Sequence, residues 1–309
     1  MTRAPGGVLW IVATPIGNLG DLSPRAIEVL AGCDLVLAED TRRTRGLLAR
    51  AGIERPLASH HRFNEAASLE RLIARLTSGA SIALVSDGGT PLVSDPGRRL
   101  VEAAHEAGIR VSPVPGPSAV TAALSVAGLP ADRWVFAGFL PSRQARRRRE
   151  ISHLAELPMT LVLFEAPHRL AASLGDLAAG LGPERRAVLC RELTKLHEEI
   201  LASTLGELRD GIASRGTIRG EIVLVVEGRQ GPAAPPRRAS RTLADAWREA
   251  LDEESGDSRR ALRRLSRRTG IPRAELRRRI DAETAGTYEP CDPEAEGRSG
   301  DGPPDPEQP

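Results

Sequence analysis

The feature of this sequence that most restricts its fold is a repeated pattern in which a short apolar run ends in a turn rich in glycine and proline. Four segments show the pattern: LWIVATPIGNLGD at 9–21, SIALVSDGGTPLVSDPG at 81–97, RVSPVPGPSAV at 110–120 and TLVLFEAPHR at 160–169. Such runs predict buried strands, and in open α/β sheets ligands bind outside the carboxyl ends of the strands. Glycine lets the backbone approach a ligand closely, and proline fixes the direction in which the chain leaves. The pattern therefore predicts an α/β fold with a ligand cleft built from these loops.

Predicted strands and helices alternate along the first part of the chain, which favours a parallel sheet covered by helices. The predicted strands are 8–13, 34–38, 82–86 and 110–114, and predicted helices begin at 24, 41, 64 and 98. Ser23 and Pro24 are a typical helix start, with serine as the N-cap and proline at the first helical position. Further strands are predicted at 160–165, 186–190 and 221–227.

Five segments are predicted from pattern and composition, since a single core stops growing at roughly 250 to 300 residues. They are an N-terminal α/β domain (1–130), a second α/β domain (131–229), a Pro-rich linker (230–241), a small basic helical module (242–283) and an acidic tail (284–309). The tail has few apolar residues and many Pro, Gly, Asp and Glu, so we expect it to be disordered.

Positive charge is concentrated in two places although the formal net charge is only +2. The first cluster is Arg143 with Arg146, Arg147, Arg148 and Arg149; residues 237–282 carry 14 Arg against 8 acidic residues. A solvated helix face would explain either cluster, but two in one chain favour a polyanionic partner. The candidate RNA-binding arginines of the second cluster are Arg263, Arg264, Arg267, Arg277 and Arg278.

Several common functions are excluded by missing motifs. Lys195 is the only lysine among 43 basic residues and has no phosphate-binding glycine loop around it, which excludes a P-loop nucleotidase. The dinucleotide fingerprint, the zinc-protease motif and the nucleophile elbow are also absent. Three scattered cysteines make neither a disulfide framework nor a metal knuckle and indicate a reducing cytoplasm, and the apolar stretches are too short for a membrane span.

Five strings identify a family when they are taken together and in order: ATPIGNLGDLSPRA, SDGGTPLVSDPG, PVPGPSAV, FEAPHR and RELTKLHEE. From about residue 8 to 228 the chain resembles the tetrapyrrole-methylase superfamily, and within it the branch that methylates small-subunit ribosomal RNA. The basic helical module resembles the C-terminal extension of that branch. The resemblance implies two α/β domains with S-adenosylmethionine in the cleft between them, a homodimer, and 2'-O-methylation of a cytidine in the decoding region of 16S rRNA in the small ribosomal subunit.

The same resemblance places the cofactor against the motif residues. Thr90 stands where many relatives have aspartate, so Asp87 or Asp95 is expected to take over the missing hydrogen bonds. The implied cofactor-binding residues are Pro15, Ile16, Gly17, Asp87, Thr90, Val93, Ser118, Ala119, Phe164, Glu165, Gly220 and Glu221. No metal is expected.

Methyl transfer to a ribose hydroxyl needs a proton acceptor or a charge that stabilises the developing alkoxide. Lys195, with Glu192 beside it, is the candidate for that task, either as a desolvated amine base or as a cation. A surface ion pair is the plain alternative for Lys195. Glu192, Glu165 and Asp87 remain rival bases.

Two other functions stay open from the sequence. The first is a methyltransferase for a corrin or sirohaem precursor, although a compact tetrapyrrole would not need the Arg-rich extension. The second is a non-catalytic RNA-binding module with a vestigial cleft.

Overall fold

The computed structural model describes residues 7–61, 64–230, 243–254 and 256–285. The chain divides into two compact units at residue 231. The predicted linker at 230–241 lies outside the described residues except for residue 230, and so does the predicted acidic tail beyond residue 285. Among the described helices, none combines the length and apolarity needed to cross a membrane.

The first half of the larger unit is a five-stranded parallel sheet, as the alternation predicts. Its strands are β1 (Val8–Val12), β2 (Leu35–Ala38), β3 (Leu57–Ser59), β4 (Ser81–Val85) and β5 (Arg110–Val114), in the spatial order β3-β2-β4-β1-β5. Its helices are α1 (Pro24–Gly32), α2 (Thr41–Arg50), α3 (Glu65–Thr77), α4 (Arg98–Glu106) and α5 (Ala119–Ala127). Apolar clusters cover both faces of the sheet, which is why its central strands are continuous apolar runs.

The second half of this unit is a mixed sheet, in which one neighbouring pair of strands is parallel and three are antiparallel. Its strands are β6 (Trp134–Phe139), β7 (Thr160–Glu165), β8 (Arg186–Arg191), β9 (Glu199–Thr204) and β10 (Ile222–Val226), in the order β6-β7-β10-β8-β9. Helices α6 (Gln144–Leu154), α7 (Leu170–Leu181) and α8 (Leu205–Ala213) pack on one face. The predicted α/β fold is confirmed, while β3, β6 and β9 are sheet-edge strands that the sequence analysis did not predict.

Helix α5 joins the two sheets. It follows β5 of the first sheet, yet its residues Val120, Ala123 and Leu124 pack in one cluster with Val188 of β8 and Val225 of β10. Ser118 is the N-cap of this helix and Gly128 is its C-cap, in a left-handed conformation that suits glycine. The predicted domain boundary at residue 130 therefore follows a helix that covers the second sheet.

The smaller unit contains three described helices, α9 (Leu243–Glu253), α10 (Ser258–Thr269) and α11 (Arg273–Ala285). Leu265, Leu276 and Ile280 form its small core. Asp257 caps α10 by accepting hydrogen bonds from two backbone N–H groups, and Gly270 ends α10 in a left-handed conformation. The predicted helix break at Gly270 is confirmed.

Candidate functional site

A cavity of about 360 Å³ lies at the carboxyl ends of β1, β4 and β7. The loop after β4, the start of α5 and the turn before β10 complete its wall. Both halves of the larger unit therefore contribute, and we call this space the first cavity. Ten of the twelve residues predicted to bind the cofactor line it: Ile16, Asp87, Thr90, Val93, Ser118, Ala119, Phe164, Glu165, Gly220 and Glu221.

A second cavity of about 480 Å³ adjoins the first. The remaining two predicted cofactor-binding residues, Pro15 and Gly17, lie in its wall together with Lys195 and residues of α2. The two cavities share four lining residues: Ile16, Arg43, Asp87 and Glu221. Ligands held in the two cavities would therefore share a common boundary.

The loop between β4 and α4 is fixed to the first strand by paired hydrogen bonds. Thr14 and Gly89 each donate their N–H to the carbonyl of the other, both at 2.9 Å. Thr90 donates its hydroxyl to the Pro117 carbonyl at 3.1 Å, which ties this loop to the start of α5. Leu92 and Ser94 have φ of 71° and 72°, a conformation that is costly for residues other than glycine. Such strain persists only where surrounding contacts enforce it, and of these two residues Ser94 lies in the wall of the first cavity.

Acidic side chains dominate the charge of the first cavity. Burial, followed by the carboxylates of Glu39 and Asp87, raises the pKa of Asp95 to about 6, although a hydrogen bond with Ser86 partly opposes them. Asp87 accepts a hydrogen bond from the Asp40 N–H at 3.0 Å, and its second oxygen lies 3.5 Å from Arg43. A cationic ligand would be favoured by this set of carboxylates.

Glu165 ends β7 with both of its oxygens already occupied. One accepts the Ala166 N–H at 2.8 Å and lies 3.4 Å from the Arg169 guanidinium, and the other accepts the Ser173 hydroxyl. The side chain is buried. These partners make Glu165 a rigid part of the wall and leave it poorly placed to take a proton.

Aromatic rings form the apolar side of the first cavity. Phe164 packs edge-to-face against Phe136 and Phe139, with ring centroids 4.8 and 5.6 Å apart. Phe139 lines the cavity and is 54% exposed. Sequence reasoning did not select Phe139, although its place in the aromatic-rich stretch 134–140 was a usable signal.

Lys195 lies in the loop between β8 and β9 and pairs with two carboxylates. Its ammonium nitrogen Nζ is 2.9 Å from Glu192 Oε1 and 3.2 Å from Glu221 Oε2. Burial lowers the pKa of Lys195, but the hydrogen bonds and charges of these carboxylates outweigh it and the net shift is upward. Burial raises the pKa of Glu192, but hydrogen bonds from Lys195 and from the Glu221 N–H outweigh burial, so the net shift is downward. The pair is therefore ionised, with Lys195 as a cation.

Two glycines allow this pair to form. A Cβ on Gly17 would lie 2.3 Å from Lys195 Cγ, so the lysine stem crosses the backbone where no side chain intervenes. Gly220 has φ of 100°, and a Cβ there would lie 2.5 Å from Glu192 Cγ. The motif glycines on the β1 and β10 loops thus position the predicted catalytic pair.

The first predicted RNA-binding cluster lies on α6 and at its N-cap, Arg143. Arg143, Arg146, Arg148 and Arg149 are exposed. Arg147 is a correction to the prediction, because its guanidinium is buried and pairs with buried Asp176 at 2.6 Å. Burial raises the pKa of Asp176, but Arg148 and Arg147 outweigh it and hold the pKa below the usual range. Arg147 stabilises the packing of α6 against α7 and is not available to RNA.

The second predicted cluster lies on α10 and α11, where all five candidate arginines are exposed. Two of them pair with acids within their own unit, Arg264 with Glu253 at 2.8 Å and Arg277 with Asp281 at 3.2 Å. The other three exposed arginines are Arg263, Arg267 and Arg278. Exposed ion pairs are weak and exchange readily for phosphate contacts.

In the residues that the structure describes, no group of three or more metal-ligating side chains occurs.

Comparison with known proteins places this site in a family. The family described as Tetrapyrrole (Corrin/Porphyrin) Methylases matches residues 8–209. A ribosomal RNA small subunit methyltransferase I from Xylella fastidiosa is 51% identical over 271 residues, covering 87% of this chain and 97% of the relative. The protein of the same name from Pseudomonas aeruginosa is 53% identical over 227 residues, covering 73% and 80%.

Solved structures give the same fold. The uroporphyrin-III C-methyltransferase of Thermus thermophilus is 28% identical, with a TM-score of 0.50 and coverage of 72% of this chain and 94% of that one. A second uroporphyrin-III C-methyltransferase structure from Thermus thermophilus, complexed with S-adenosyl homocysteine, has a TM-score of 0.50 at 22% identity, covering 72% of this chain and 97% of that one. The chain therefore belongs to the tetrapyrrole (corrin/porphyrin) methylases and, within them, to the family of ribosomal RNA small subunit methyltransferase I.

Proposed function

We propose that this chain transfers a methyl group from S-adenosylmethionine, held in the first cavity, to the ribose 2'-hydroxyl of a decoding-region cytidine in 16S rRNA. Family membership supports the coarser statement, that the chain is an S-adenosylmethionine-dependent rRNA methyltransferase. The cytidine, the 2'-oxygen and the assembled small subunit as substrate are the finer parts of the proposal. We also propose a homodimer that acts in the cytoplasm.

One observation carries the proposal: the cavity lined by the motif residues shares a wall with a second cavity that contains cationic side chains and Lys195. A methyl donor and an RNA acceptor need such adjoining sites. The carboxylates of the first cavity suit a positively charged cofactor, and the arginines of the second suit a phosphate-bearing substrate. The demethylated cofactor in a related enzyme agrees with this assignment.

The sulfonium of S-adenosylmethionine supplies an already activated methyl group. The chain therefore has to align the hydroxyl oxygen with the methyl carbon, and orientation of this kind contributes several kcal/mol to catalysis. Ile16, Asp87 and Glu221 belong to both cavities and so border the point where the two groups would meet.

Lys195 would stabilise the negative charge that develops on the ribose oxygen as its proton leaves. That charge would be lost again as the oxygen bonds to the methyl carbon, the carbon–sulfur bond breaks and S-adenosylhomocysteine leaves. The hydroxyl proton passes to a carboxylate, and Asp87 is the rival base that lines both cavities. Glu165 has both oxygens occupied, and Glu192 Oε1 already accepts from Lys195 and from the Glu221 N–H. Glu192 thus acts by holding Lys195 in place.

Exposed arginines of both units supply the wider RNA contacts. Removing the chain after residue 229 should weaken RNA binding and flatten its salt dependence, because fewer phosphates are neutralised. Cofactor affinity should stay near that of the full chain, since both cavities lie before residue 229. Unchanged RNA affinity would remove the smaller unit from the proposal.

The substrate is tested by comparing methyl incorporation into small ribosomal subunits, naked 16S rRNA and a tetrapyrrole precursor. We expect the assembled subunit to be the best acceptor and the methyl group to appear on a ribose 2'-oxygen. A preference for the tetrapyrrole would refute the rRNA assignment, and methylation at a base would refute the proposed 2'-O chemistry. Cofactor binding without transfer to any of the three would favour a non-catalytic module.

A further inference from the structure

One face of α2 forms a wall of the second cavity and lies outside the family motifs, and the proposed function uses its arginines only as a source of positive charge. Six positions of this helix line the cavity: Arg42, Arg43, Thr44, Gly46, Leu47 and Arg50. Apart from Thr44, they are spaced by three and four residues, which puts them on one face. Arg43 and Arg50 are seven residues apart, which is about 10 Å along a helix axis.

Gly46 has no explanation within the folded chain. It lies in the interior of α2, where glycine is less favourable than alanine because it gives up more backbone freedom. Its φ is not positive, and a Cβ built on it would meet nothing within 4 Å. At Gly17 and Gly220, by contrast, a Cβ would overlap the Lys195 or Glu192 side chain. Space above Gly46 is open on the cavity side, as expected where a ligand lies against the helix backbone.

The charges around this face favour an anion with more than one negative group. Arg42, Arg43, Arg50 and Lys195 line the second cavity, and the acidic side chains in its wall are Asp87 and Glu221. Arg42 is bound to Asp40 at 2.8 Å, Arg43 lies 3.5 Å from Asp87, and Lys195 is held by its two carboxylates. Exposed arginine pairs of this kind cost little to exchange for a phosphate.

We propose that this face of α2 binds the sugar-phosphate backbone of the RNA acceptor strand, with Arg43 and Arg50 on phosphates and the strand packed against Gly46. A strand held there would present a ribose to Lys195 in the second cavity, beside Glu221, which lines both cavities. This inference rests on the proposed function and adds the residues that position the acceptor. These are positioning residues, since they do not touch the reacting atoms.

Gly46→Ala tests the close approach, with Gly175→Ala as the matched control. Gly175 is also a helix-interior glycine, in α7, whose Cβ would meet nothing within 4 Å, and it lines neither cavity. Both variants should raise Tm slightly, by about 2 °C, because alanine favours the helix. We expect only Gly46→Ala to raise KM for the small subunit, about tenfold, with cofactor affinity unchanged. Equal KM values in the two variants would overturn the proposal.

Arg50→Gln tests the phosphate contact, with Arg45→Gln as its control. Arg45 is on the same helix and exposed but does not line the second cavity. Each change removes one positive charge, so long-range attraction falls equally. Arg50→Gln should reduce the slope of log affinity against log salt by about one. A slope reduced equally in both variants, or in neither, would overturn the assignment of Arg50.

Assays of the wild-type chain distinguish an error in the proposed function from an error in the assignment of the α2 surface. If it fails to methylate rRNA in small subunits, the proposed function is wrong. If it methylates them while Gly46→Ala and Arg50→Gln match their controls, the proposed function stands and the α2 surface is wrong.

Discussion

Replacing Lys195 tests the chemical step most directly, because it is the only lysine and lies in the wall of the second cavity, 3.2 Å from Glu221, which lines both cavities. Lys195→Met removes the charge at similar length, whereas Lys195→Arg keeps the charge and adds bulk. The stem crosses Gly17, which leaves room for either side chain to follow the same path.

The protonation state of Lys195 decides which result to expect. A lysine with the ordinary pKa of about 10.4 is deprotonated in about one molecule in a thousand at pH 7.4. Glu192 and Glu221 move the pKa of Lys195 upward, so the neutral amine is rarer still. A cation that stabilises the developing alkoxide therefore agrees with the geometry better than an amine base does.

The size of the effect follows from the contacts of the ammonium group. Removing one donor that stabilises a developing oxyanion typically costs a factor of about 10² to 10³ in kcat. Two carboxylates within 3.2 Å of Nζ reduce the field that Lys195 exerts on a third group. We therefore expect the lower end, a loss of about 10² for Lys195→Met, which is about 2.7 kcal/mol. Lys195→Arg should retain part of the activity.

Single-turnover methyl transfer to small subunits at saturating cofactor measures this step. Cofactor affinity by calorimetry and Tm show whether each variant is folded and loaded. Near-normal rates in both variants would reject a catalytic Lys195 and make Asp87 the next residue to test. Equal and large losses in both variants, with a wild-type rate that keeps rising with pH, would instead identify an amine base.

Arg147→Ala should lower the free energy of unfolding by about 3 to 5 kcal/mol because it leaves Asp176 charged and buried. Arg148→Ala is the control: its side chain is 61% exposed, so its removal should lower the free energy of unfolding by about 1 kcal/mol or less. Similar losses in urea unfolding would contradict this account of the pair. Burial raises the pKa of Asp95 to about 6, so its contribution to stability is present below its unfolded pKa of about 3.9 and is lost as pH rises through about 6. Asp95→Asn should flatten Tm between about pH 4 and 7, and an unchanged profile would assign the effect to another group. Cofactor binding should be the same with and without a chelator, because orienting a sulfonium requires no metal; calorimetry in which binding needs a divalent ion would refute this.

The central strands and their loops were predictable from local sequence. Strand β5 is found where the sequence predicts it, at 110–114, and β4 is displaced by one residue from the predicted 82–86. Strands in the middle of a parallel sheet are buried on both faces, so their sequences are continuous apolar runs. The edge strand β9 was missed because its residues alternate between partly buried and exposed and give no such run.

The sequence by itself determined which loops line the two cavities, because a strand followed by a glycine and proline turn is a local pattern. Tertiary structure decided which of those residues meet. Arg43 lines both cavities and Arg147 is buried against Asp176, yet both belong to similar arginine-rich stretches. The partner of a charge is set by segments distant in the sequence, since Asp176 is 29 residues from Arg147 and Asp87 is 44 from Arg43. The charge pattern of one segment does not indicate those partners, because distant segments meet only when the sheets pack.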